Sequence, residues 1–160
     1  MIGRTRSLVA TVGALGAIAL LSLAGPAIGA AKKGKADSGI SYVAITHSAG
    51  GFNYTAGNNT DKVLGVGAVT YKLKIGVAKA GVSKVTAKPV VFYSPTGSLT
   101  GTGSGTLTVA ADGTATITGG KVNLTSGTGS QKGHSMVATF TGKGSVKTGS
   151  YRFVYKGTYF

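Results

Sequence analysis

Across residues 69–79 the chain alternates with a period of two: Val69, Tyr71, Leu73, Ile75 and Val77 fall on one side, Thr70, Lys72 and Lys74 on the other. Only extended backbone sends successive side chains to opposite faces, so this stretch reads as a strand with one buried face. The same rhythm, rich in Val, Thr, Tyr and Phe, recurs along the chain. We expect further strands at 40–46, 52–56, 84–93, 99–110, 114–118, 121–125, 135–141 and 150–160. Pro89 predicts an edge, a bulge or a bend in its strand. Asp112-Gly113 predicts a hairpin turn. No helix is expected, because 23 of the 28 glycines follow residue 30 and each costs a helix about 1 kcal/mol.

The 160 residues suffice for one domain with a single modest core. About eight short antiparallel strands, evenly spaced, make an all-β antiparallel barrel, which removes exposed sheet edges. A two-sheet β-sandwich satisfies the same pattern. The glycine content favours the barrel, since glycine relieves crowding where strands coil or bulge. The interior stripe would carry Val69, Tyr71, Leu73, Ile75, Phe140, Tyr151, Phe153 and Tyr155. Of these, Tyr71, Leu73, Phe140, Tyr151, Phe153 and Tyr155 are the candidate ligand-facing residues.

Residues 1–30 have a different logic. A basic head with Arg4 and Arg6 precedes an uncharged apolar run at 8–23, then Gly25-Pro26 and the small residues 27–30. This is the layout of a secretory signal peptide cleaved near Ala30, with an uncleaved membrane anchor as the alternative. Residues 31–39, polar and basic, read as a disordered lead-in to a single barrel domain over 40–160. Export without cysteine is more typical of bacteria than of small disulfide-rich animal domains, so a secreted or cell-envelope location, bacterial, is expected.

Composition excludes several chemistries. With no Cys there is no thiol nucleophile, disulfide scaffold or cysteine zinc site. The only acids are Asp37, Asp61 and Asp112, too scattered in sequence for a carboxylate pair or a calcium loop. His47 and His134 are the only imidazoles, and they read as surface residues. A triad could be written from His134, Ser135 and Asp112, but no nucleophile-elbow context supports it. The glycine runs at 101–105 and 127–129 lack the lysine and helix of a phosphate loop and read as strand bends and turns. No catalytic residue, metal ligand or cofactor is assigned.

Charge is the strongest functional clue. Beyond residue 30 there are fifteen cations against three anions, a net charge of +12. All but Arg152 are lysines, spread along the chain, which fits diffuse, salt-sensitive adhesion better than a specific anion site. Outside the cell the partners of that chemistry are anionic lipid surfaces or acidic envelope polymers; nucleic acid is not expected. Solubility alone would also account for the lysines. The last strand ends in Phe160, as in outer-membrane barrels, yet its face carries Thr158, Lys156 and Arg152. Charge at a bilayer midplane costs roughly 2–4 kcal/mol per residue, which makes a membrane-spanning barrel the lesser alternative.

The C-terminal half, residues 101–159, carries Gly127, Gly129 and Gly133 before a basic turn, then an apolar strand, Thr-Gly and an aromatic alternating strand. This resembles the allene oxide cyclase/dirigent barrel superfamily. The sequence departs from that pattern at Gln131 and at His134-Ser135. The resemblance implies a secreted eight-stranded barrel with a central cavity. It transfers no activity, because the cyclases' carboxylate chemistry has no Glu here.

Two functions follow as expectations. One is an exported, non-catalytic barrel that associates with the envelope through charge, binds a small apolar ligand, or both. The other is an isomerase or coupling template acting on a small apolar substrate, with Tyr71, Tyr151, Tyr155 or a His assisting.

Overall fold

A computed structural model describes residues 32–160; the expected signal segment lies outside the described residues. Eight strands follow in order: β1 (Lys35–Ala49), β2 (Phe52–Asp61), β3 (Gly65–Ile75), β4 (Val82–Ser94), β5 (Gly97–Val109), β6 (Thr114–Gly129), β7 (Met136–Ser145) and β8 (Ser150–Tyr159). Each pairs antiparallel with the next, and β8 returns to β1, giving a closed barrel. Closure decides between the two expected architectures in favour of the barrel, leaving no free edge.

Several boundaries differ from the sequence reading. Residues 35–39, expected within a disordered lead-in, are strand, because β1 begins at Lys35 and pairs with β8 from Lys35↔Tyr159 onward. Asp37 is buried there, so the period-two rhythm starts earlier than its polar residues reveal. The segments at 114–118 and 121–125 are one strand, β6, bulged between Ile117 and Gly120. Pro89 sits in a bulge of β4 between Ala87 and Val90, following a cis peptide bond from Lys88. β3 stops at Ile75, so Val77 is not an inner-face residue but stands on the β3–β4 connection, 91% exposed.

The two ends of the barrel are built differently. At the end holding the β2–β3, β4–β5 and β6–β7 connections, Leu99, Leu124 and Met136 are wholly buried and Leu64 packs with them. This end is sealed. At the other end the inward side chains Leu73, Phe140, Tyr151 and Phe153 remain only half-buried and Ile75 is exposed. The interior is therefore open to solvent there.

Inward glycines make room for inward rings. Gly142 faces Phe153 across the β7–β8 pair, and a methyl group on it would come to 2.5 Å from the ring. Gly120 stands in the same relation to Phe140, at 2.5 Å. At the open end, backbone hydrogen bonds carry three strand pairings one step into the connections. Val109 N donates to Gly81 O (3.2 Å), Val146 N to Gly113 O (3.0 Å) and Ile45 N to Gly149 O (2.9 Å). In the β3–β4 connection, Lys79 and Val82 exchange two backbone hydrogen bonds around Ala80 and Gly81, both with positive φ.

Candidate functional site

The open half of the barrel is a cup. All six candidate ligand-facing residues, Tyr71, Leu73, Phe140, Tyr151, Phe153 and Tyr155, line one cavity, together with Val69 and Ile75. The walls are completed by strand residues outside that candidate set, among them Val85, Ala87, Val90, Phe92, Leu107, Ile117 and Val122. The free space is about 80 Å³. One water needs roughly 10–15 Å³ of such space, so the cup accommodates a slender apolar group and not a bulky ring system.

Phe153 is the hub of its aromatic wall. Its ring lies edge-on to Phe140 at 5.6 Å and to Tyr71 at 6.4 Å, and stacks with Tyr151 at 6.2 Å. Such offset and edge contacts are favoured by the ring quadrupoles and add about 0.5–1.5 kcal/mol per pair. Burial pushes the Tyr71 and Tyr151 phenols above their ordinary pKa. Tyr155 is raised by burial and further by its bond to Asp61. All three are therefore neutral hydrogen-bond donors and not bases.

Beneath the cup, toward the sealed end, lies a buried polar cluster. Tyr155 donates its hydroxyl to Asp61 Oδ2 (2.5 Å) and contacts Asn59 Oδ1 (3.1 Å), which also accepts from Ser41 Oγ (2.7 Å). Asp61 Oδ1 accepts from the backbone N–H groups of Val63 (2.8 Å) and Leu64 (2.6 Å), folding the β2–β3 connection under the barrel. Asp37, 4% exposed, sits beside this carboxylate. Burial first, then the Asp61 charge and a hydrogen bond to Asp61, push its pKa up to about 6. Asp37 Oδ1 accepts from Ser38 N at 2.8 Å while Oδ2 has no donor. A protonated Oδ2 resolves that, since it donates to Asp61 in place of two carboxylates repelling each other.

This pair was illegible as a pair. Asp37 fell in the expected lead-in, and Asp61 ends a run, Ala-Gly-Asn-Asn-Thr-Asp, that is polar on both faces. The available signal was Thr55, Asn59 and Asp61 at a spacing of two or four, all buried. Among the described residues no third His or Asp joins them in a group that could hold a metal.

The histidines stay apart. His47 is exposed near the open end, stacked on Tyr54 at 4.3 Å. His134 is at the sealed end, stacked on Tyr159 at 5.0 Å with Nδ1 2.9 Å from Phe160 O. Asp112 lies in the β5–β6 turn at the open end, accepting from Thr114 N and Oγ1. A His134–Ser135–Asp112 triad is thus not assembled. The glycine runs at 101–105 and 127–129 are strand backbone in β5 and β6.

Comparison with protein-family models, with curated proteins and with solved structures finds no match to this chain.

Proposed function

We propose that the protein is an exported, non-catalytic barrel that holds a small apolar ligand in its one-mouthed interior and associates with the cell envelope through its cationic surface. The observation that carries the ligand half is the cup itself: aromatic and aliphatic side chains from β3 to β8 bound a space closed at one end by Leu64, Leu99, Leu124 and Met136. A concave apolar site with a few polar groups at its base is the usual form of a small-molecule site. Its size selects narrow ligands such as a linear hydrocarbon chain or a single small ring. Export rests on the layout of residues 1–30, and adhesion on fifteen cations against three acids, two of them buried.

Thermal unfolding with a panel of linear alcohols and small hydrocarbons tests the ligand half. Any molecule that binds only the folded state raises the midpoint in proportion to its occupancy. A midpoint rising with narrow ligands and indifferent to bulky ones is expected; indifference to the whole panel overturns this half. The adhesion half is tested on isolated anionic envelope material. Retention should vanish at moderate salt, because exposed charges are screened within about 8 Å at physiological ionic strength.

A second reading, an isomerase or coupling template like the allene oxide cyclase/dirigent barrels, is supported by three tyrosines on the cavity wall. Neutral phenols could orient a substrate but not deprotonate it. A membrane-spanning role finds no support on the outer wall, where Lys88, Lys121 and Lys156 are exposed within strands.

A further inference from the structure

The open rim carries exposed apolar side chains on its connections, whereas the other exposed hydrophobics, Tyr42, Val66, Tyr93 and Val137, lie within strands. Val77 is 91% exposed and Val146 is 44% exposed, and both stand on connections beyond the last strand pairing. Ile75 and Val82, also exposed, flank the first of these connections. Interleaved with them are the exposed lysines Lys74, Lys79, Lys84 and Lys147. The one acid of this rim, Asp112, is occupied by Thr114. The connection that carries Val146 is bonded to the β5–β6 turn through Val146 N and Gly113 O, and the one that carries Val77 is bonded to the end of β5 through Gly81 O and Val109 N.

We propose that this rim is the docking face for an anionic lipid bilayer, with Val77 and Val146 entering the headgroup layer and the four lysines lying over lipid phosphates. The inference rests on the adhesion half of the proposed function, adds a face and a partner to it, and is independent of whether the cup is filled. Two chemistries together favour a bilayer over an acidic polymer. A hydrated polyanion satisfies lysine but gives no return for an exposed valine, whereas a membrane interface accepts both. At the sealed end the exposed Val66, Tyr93 and Val137 lie within β3, β4 and β7, on the outer wall, and do not form a rim. Docking in this orientation places the mouth of the cup against the lipid, where apolar ligands are concentrated.

The absence of cysteine makes a direct test available. Full-length Val77→Cys, Val146→Cys and Val66→Cys variants, each labelled with an environment-sensitive fluorophore, are mixed with phosphatidylglycerol vesicles and with phosphatidylcholine vesicles. Every arm shares the same N-terminal segment, so its own affinity for lipid cancels in the comparison. Emission at 77 and 146 should shift to the blue with the anionic vesicles only, and emission at 66 should not move. Equal responses at 66 and 77, or no response at 77 from vesicle-bound protein, overturns the proposal.

A charge-matched pair of variants separates it from diffuse adhesion. Replacing Lys74, Lys79, Lys84 and Lys147 by Gln should lower partitioning onto anionic vesicles by two orders of magnitude or more, at roughly five-fold per lysine. Replacing Lys88, Lys121, Lys132 and Lys156 should have a much smaller effect. Equal losses leave the adhesion reading standing and remove the docking face, as does binding to acidic wall polymer without binding to vesicles.

Discussion

The Tyr155 hydroxyl donates to Asp61 Oδ2 at 2.5 Å, joining β8 to β2 across the intervening β1. Tyr155→Phe keeps the ring in its edge contact with Phe92, 5.6 Å away, and removes only the donor. Asp61 Oδ2 and one contact of Asn59 Oδ1 then lose their partner in a buried site. Leaving a buried charged acceptor short of a donor costs about 2–3 kcal/mol, read as a lower urea midpoint with an unchanged slope.

Asp37 makes stability depend on pH in an unusual direction for a carboxylate. Its pKa is about 6 in the folded protein, above its ordinary 3.8, so the folded state holds a proton that the unfolded chain has lost. The contribution is fully present below pH 4, declines as pH rises through 6 and is gone above it, a fall of about 3 kcal/mol at most. Asp37→Asn imitates the protonated acid. Its urea midpoint should be flat from pH 4 to about 6.5, and above the parent's at pH 7.5 by about 1–2 kcal/mol equivalent.

Removing the hub of the aromatic wall should trade stability for space. Phe153→Ala loses three ring contacts in a half-buried site and is expected to cost about 2–3 kcal/mol, below the range for fully buried phenylalanine. The enlarged cup should then show midpoint increases with wider ligands that leave the parent unmoved. Thermal unfolding against the same panel of narrow and bulky molecules checks both effects.

Ala80 is the one described non-glycine residue with positive φ, at 49°, in a two-residue turn completed by Gly81. Asn tolerates that conformation better than Ala, and Asn-Gly is the preferred pair for such a turn. Ala80→Asn should raise stability by about 0.5–1 kcal/mol, measured as an increased unfolding midpoint.

The barrel and its inner stripe were legible because burial on one face leaves a period of two. Tyr71 and Leu73 on β3, and Tyr151, Phe153 and Tyr155 on β8, all face inward as that period requires. Val77 followed the rhythm and yet lies outside, because alternation does not mark where pairing with the neighbouring strand stops. The glycines were legible as a barrel feature only in general. Their specific partners, such as Gly142 beneath Phe153, depend on cross-strand register, which no single strand encodes. The carboxyl pair was hidden for the opposite reason. Asp37 and Asp61 come together only when β1 and β2 pair with Gly39 opposite Asp61, a contact between polar segments with no hydrophobic pattern to betray it.

The seam between β1 and β8 joins the first described strand to the last, over the register from Lys35↔Tyr159 to Ala44↔Ser150. β1 therefore keeps one flank unmatched until β8, about a hundred residues further along the chain, reaches it. Such an open flank invites pairing with another unclosed copy. The meeting of these sequence-distant strands is what withdraws the last unpaired flanks from intermolecular pairing.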